Sequence, residues 1–186
     1  MYSTSDFKKG LKIEHNGKPW TVVDFQHVSP GKGAAFTRAK IKNLENGQVL
    51  ELTLKSGEKV NRPDLEFKDM QYLYNDGTSY TLMDNSNYEQ IVLSADQLGE
   101  NKLYMVENCP VKVTLFNGKP VAVEIDVFVT LTVKETQPNI RGDTSSGGGK
   151  PAVMETGLTV QVPFHISEGD RVKIDTRNNA YVEKVK

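Results

Sequence analysis

Cysteine is nearly absent from this 186-residue chain: Cys109 stands alone. A single thiol excludes an internal disulfide framework and a thiolate metal cluster. Histidine is also scarce, and His15, His27 and His165 have no metal-ligand spacing. No run approaches the roughly 18 apolar residues that span a bilayer, so no membrane partner is expected. The opening Met1-Tyr2-Ser3-Thr4-Ser5-Asp6 has no apolar stretch of the signal-peptide kind, and a cytoplasmic location is expected. Hydrophobic residues reach only 37%, low for one large core. That favours several small domains with much surface per volume. Helical signal is sparse too. Ser94-Ala95-Asp96-Gln97 reads as a capping box, predicting a short helix from about Ala95 to Glu107 that Gly99 could split. The formal net charge is only -1, which on its face argues against a nucleic-acid partner.

What the chain does have is strand and turn chemistry. Asn16-Gly17, Asn46-Gly47, Asp76-Gly77 and Asn117-Gly118 are tight-hairpin signals, and Asn178-Asn179 is a weaker one. Between Val121 and Val133 apolar residues hold every odd position. Strict alternation argues for strands with one buried face. The run is long for one strand, so a bend or domain junction is expected inside it. Short strands at regular spacing predict small β-barrels rather than a parallel sheet.

Dividing the chain near residues 64 and 127 resolves the charge. Residues 1-64 hold 11 Lys/Arg against 7 Asp/Glu, residues 65-127 hold 4 against 10, and residues 128-186 hold 8 against 7. The sum of -1 thus conceals segments of +4, -6 and +1. RNA contact is plausible at the two ends and disfavoured in the acidic middle.

Ser29-Pro30-Gly31-Lys32-Gly33 lies between two predicted strands, Thr21 to Val28 and Ala34 to Leu44. It reads as a hairpin tip in which Pro30 restricts the entry and Gly31 and Gly33 bare the flanks of Lys32. Such a lysine could enter a narrow cavity or be reached by a modifying enzyme; an ordinary solvated turn fits the same spacing. A Walker loop is excluded, because Ala34 follows Gly33 and the continuation reads as strand. Along that strand Thr37, Ala39 and Ile41 share one face, and Arg38, Lys40 and Lys42 the other. The basic stripe suits phosphate contact, or else a solvated barrel face. The stretch Gly142 to Lys150 is small, polar and glycine-rich. Its glycines permit close backbone approach to a partner, although its composition equally describes a flexible loop. His27 is assigned a structural role, Cys109 a packed position, and Tyr72, Tyr74, Tyr80 and Tyr88 barrel packing. No catalytic constellation is legible, so no catalytic residue, metal or cofactor is assigned.

Together these motifs resemble the bacterial elongation factor P family. They are Pro30-Gly31-Lys32-Gly33 with Ala34-Ala35-Phe36, then Tyr72-Leu73-Tyr74-Asn75-Asp76-Gly77, Gly142-Asp143-Thr144, Lys150-Pro151-Ala152, Glu155-Thr156-Gly157-Leu158 and Val160-Gln161-Val162-Pro163. Asp175-Thr176-Arg177 and Tyr181-Val182 complete one collinear order over essentially the whole chain. The resemblance implies an all-β protein of three small barrels: a KOW/SH3-like domain (1-64), an acidic central OB domain (65-127) and a C-terminal OB domain (128-186), in a tRNA-like L. It implies a monomeric, non-enzymatic factor that binds both ribosomal subunits between the P and E sites and relieves stalling at consecutive prolines. Lys32 would reach the acceptor end of P-site peptidyl-tRNA. Arg38, Lys40 and Lys42 would face RNA, Gly142, Asp143 and Thr144 the small subunit, and Tyr181 the anticodon stem. Many relatives extend the tip lysine after translation, which makes Lys32 a candidate for a modifying enzyme. Ser29 stands where many of them have lysine. The alternative is a generic OB-fold RNA-binding or ribosome-assembly module.

Overall fold

The computed structural model describes residues 1–138 and 148–186. The predicted turns account for much of the local structure. At Asn16-Gly17 (φ 52° and 71°) and Asn117-Gly118 (φ 50° and 80°) both central residues are left-handed. That is the type I′ signature, whose twist matches the flanking strands. These turns join β2 (Lys12–His15) to β3 (Lys18–Val28), and β10 (Pro110–Phe116) to β11 (Lys119–Ile125). At the other two Gly dipeptides only Gly47 (φ 73°) and Gly77 (φ 97°) are left-handed, so those turns are of other types.

Backbone packing divides the chain into two compact units, Met1–Phe67 with Thr114–Ala122, and Lys68–Val113 with Val123–Lys186. In the first unit β2, β3, β4 (Phe36–Asn43) and β5 (Val49–Lys55) form a four-stranded antiparallel sheet in sequence order. Two short strands, β1 (Tyr2–Ser3) and β6 (Lys59–Val60), pair beside it. Ile13, Val22, Ala39 and Ile41 are fully buried in this unit's core with Trp20. The Trp20 indole N–H is satisfied by the His15 carbonyl at 3.0 Å, as a buried indole requires.

The remaining strands are β7 (Leu65–Asn75), β8 (Ser79–Asp84), β9 (Gln90–Ser94), β12 (Phe128–Thr136), β13 (Lys150–Met154), β14 (Thr159–Val162), β15 (Arg171–Asp175) and β16 (Ala180–Val185). With β10 and β11 they build two five-stranded sheets, in the orders β11-β10-β7-β8-β9 and β14-β13-β12-β15-β16. Leu131, Ala152, Met154, Val172 and Ile174 of the second are wholly buried, together with Ile166 from the β14–β15 connection. Strands dominate the fold as expected.

The alternating run does break, between β11 and β12. Thr176 closes the break: its hydroxyl donates to the Asp126 and Val127 carbonyls (2.9 and 3.0 Å), and its amide to Val127 (2.8 Å). The predicted helix is shorter than expected. Within that span α1 (Ala95–Leu98) alone is α-helical, and a 3₁₀ segment continues over Gly99–Tyr104. The capping box forms, with the Gln97 amide donating to Ser94 Oγ (3.1 Å) and the Ser94 amide to Gln97 Oε1 (2.9 Å). Gly99 at φ 58° ends the α-helix. Tyr72 and Tyr80 pack together, with ring centroids 5.8 Å apart. Tyr74 (55% exposed) and Tyr88 (73%) do not, because they fall on the outer face and on a left-handed turn residue. Among the described residues no helix is long and apolar enough to cross a membrane.

Candidate functional site: a lysine-tipped hairpin

The β3–β4 hairpin pairs from Trp20 opposite Asn43 out to Val28 opposite Phe36. A bulge between Val22 and Asp24 interrupts it. One extra residue there changes which parity of β3 faces inward. Val22 is a core residue before the bulge; beyond it Phe25 and His27 share the core face with Ala39 and Thr37. On β4 the faces separate as read from the sequence: Thr37, Ala39 and Ile41 are buried, while Arg38, Lys40 and Lys42 are exposed.

Beyond Val28 the chain leaves the sheet. Ser29, Pro30, Gly31, Lys32, Gly33 and Ala34 are all exposed. Gly33 holds φ 105°, where a side chain would be strained. A Cβ placed at Gly31 would have no neighbour within 4 Å, and one at Gly33 would meet only the Pro30 ring at 4.0 Å. Lys32 therefore stands with open space on both sides.

Register changes the reading of the basic stripe. Lys40 lies directly between Asp24 on β3 and Glu51 on β5. Opposite charges at cross-strand positions attract, so Lys40 is part of an alternating row. Arg38 lies between Gln26 and Thr53, and Lys42 between Thr21 and Val49, with no acid directly opposite. The Arg38 guanidinium stacks over the Phe36 ring at 5.4 Å. The acids beside Lys40 were missed in the sequence because they come from two other strands; pairing the alternations of β3 and β5 with β4 would have revealed them.

Tyr181 sits on β16 opposite Ile174, partly buried against the second unit's core. Gly142, Asp143 and Thr144 lie outside the described residues. His27 is exposed, and its Nδ1 is 2.8 Å from the Thr37 hydroxyl. Cys109 is half-buried, and burial pushes its thiol pKa up, which lowers its nucleophilicity. Among the described residues no three His, Cys, Asp or Glu side chains gather as a metal site. A polar cleft of about 620 Å³ in the second unit mixes cations (Lys102, Arg171) with carboxylates (Glu107, Glu155) and the Tyr72–Tyr80 pair.

Comparison with known proteins matches three family models in order. The Elongation factor P (EF-P) KOW-like domain matches residues 3–60, the EF-P OB domain residues 65–123, and the Elongation factor P C-terminal model residues 129–184. Elongation factor P of Bdellovibrio bacteriovorus is 54% identical over 185 residues, covering 100% of this chain and 98% of that protein. Elongation factor P of Thermodesulfovibrio yellowstonii is 52% identical over 186 residues, covering 100% of both. Among solved structures, eukaryotic translation initiation factor 5A from Methanococcus jannaschii shares the fold, with TM-score 0.55 and 22% identity over 66% of this chain and 92% of that one. With collinear domains and full-length relatives at this identity, the chain belongs to the elongation factor P family of translation elongation factors.

Proposed function

We propose that this chain binds the ribosome between the peptidyl- and exit-tRNA sites and stimulates peptide-bond formation, above all at consecutive prolines. The observation that carries the reading is Lys32: an exposed cation with bare flanks at the end of a long paired hairpin. A side chain so mounted can enter a confined space without bringing bulk with it. Proline is a sterically restricted participant in peptide transfer. Holding the end of peptidyl-tRNA in a reactive geometry recovers rate through orientation, without new acid–base chemistry. The ribosome stays the catalyst, and this chain is not an enzyme.

In this reading Arg38 and Lys42 meet RNA phosphates, and Lys40 contributes less. Gly142, Asp143 and Thr144 approach the small subunit, and Tyr181 approaches the peptidyl-tRNA. Lys32 is the residue that a modifying enzyme would extend, and no cofactor is required. The test is translation of a triproline template with the parent and Lys32→Ala. Rescue should be lost while the melting temperature is unchanged; undiminished rescue would falsify the role. A generic RNA-binding module would instead bind free RNA tightly, with a steep salt dependence.

A further inference from the structure

The tip has no packing of its own to aim Lys32, because residues 29 to 34 are all exposed. Its direction must come from the last pairs of the stem, Val28 with Phe36 and His27 with Thr37. The second pair carries an unusual contact. Thr37 is only 2% exposed, and its hydroxyl lies 2.8 Å from His27 Nδ1. A buried hydroxyl is costly without a partner, so the contact holds the imidazole against β4. The Phe25 ring packs on the imidazole nearly edge-on, with centroids 5.4 Å apart and planes at 68°. Phe25 and His27 share that face only because of the bulge between Val22 and Asp24.

We propose that the His27–Thr37 hydrogen bond, braced by Phe25, is a positioning clasp that fixes the direction in which the tip presents Lys32. This rests on the role proposed for Lys32 above. The clasp joins the two strands three residues before Pro30 on one side and four residues after Gly33 on the other. Rotation of the tip relative to the stem is damped where the backbone ladder ends. The contact is not needed for folding. Valine matches threonine in shape and suits a buried strand position, and exposed His27 can return its free nitrogen to water.

Full-length Thr37→Val, Thr37→Ser and Lys32→Ala are compared with the parent in triproline translation, over a range of factor concentrations. Thr37→Val should keep or raise the melting temperature. It should lower the maximal rescue rate by roughly three- to tenfold, the worth of one ordinary hydrogen bond, and leave the half-saturating concentration almost unchanged. Thr37→Ser, which keeps the hydroxyl, should restore most of the rate. In ¹⁵N relaxation, Gly31, Lys32 and Gly33 should show lower order parameters in Thr37→Val than in the parent or Thr37→Ser. Parental maximal rate in Thr37→Val overturns the clasp, as does a Thr37→Ser variant no better than Thr37→Val. Loss of rescue in Lys32→Ala with parental Thr37→Val overturns the clasp alone. Full rescue in Lys32→Ala overturns the role of Lys32 and the clasp with it.

Discussion

Lys32 and Lys150 both stand beside glycine, at Gly31-Lys32-Gly33 and Gly148-Gly149-Lys150, yet the fold puts them to opposite uses. Lys32 is exposed at a tip where neither flanking glycine has a close neighbour. Lys150 begins β13 opposite Val162 and is only 3% exposed, its ammonium donating to the Gln137 carbonyl. A Cβ on Gly149, at φ 131°, would lie 2.2 Å from the Val162 carbonyl oxygen. Glycine beside the first lysine leaves open space around it. Glycine beside the second lets two segments of the same chain touch. Composition alone does not separate these uses; packing does.

The contrast can be broken most directly by truncating each lysine. Lys32→Ala should reduce proline-stall rescue about 10²-fold, as expected for lost positioning, with no change in thermal unfolding. Lys150→Ala should do the reverse. It removes a buried stem and a charge-assisted hydrogen bond to the Gln137 carbonyl, at about 1–3 kcal/mol of stability, with rescue per folded molecule retained. An equal loss of stability in the two variants would erase the distinction.

The glycines give a second comparison. Gly149→Ala should destabilise by about 2–4 kcal/mol, since the clash is with backbone and the φ is unfavourable. Gly31→Ala should stay within about 0.5 kcal/mol in urea unfolding.

Acid should separate the two units. Asp76 is held below the usual carboxylate range by the Ser79 amide and then by Thr78. Asp84 is lowered by the amide and hydroxyl of Ser86, Asp170 by the Ser167 amide, and Asp175 by the Arg177 side chain. All four lie in the second unit. Their folded-state pKa values lie below the unfolded ones, so their contribution is present above about pH 4 and is lost as pH falls through the lowered values. Hydrogen exchange at decreasing pH should show the second unit losing protection first. Asp84→Asn should flatten its acid dependence. Simultaneous loss in both units would show that other groups control acid unfolding.

The smallest expected effect lies within the basic stripe. Arg38→Gln should lower the salt slope of ribosome binding by about 1, one phosphate contact. Lys40→Gln, at a position already between Asp24 and Glu51, should lower it less. Equal slopes would mean that the cross-strand acids do not matter.

Much of this was legible in advance, for local reasons. Period-two alternation placed Arg38 and Lys42 outside and Ala39 and Ile41 inside, because strand geometry requires it. Asn16-Gly17 and Asn117-Gly118 announced hairpins, because few residues tolerate two successive left-handed positions. Ser94 and Gln97 marked a helix start through contacts three residues apart. Tyr74 and Tyr88 misled, because aromatic content does not reveal which face a residue occupies.

The amino-acid sequence by itself determined the strand periodicity, the turn positions and the lysine between two glycines, since each depends on neighbours in the chain. Only the tertiary structure decided that Lys40 is flanked by acids, that Gly149 has no room for a side chain, and that His27 meets Thr37 ten positions away. Those facts depend on register, and on a one-residue bulge that sets which side chains share a face.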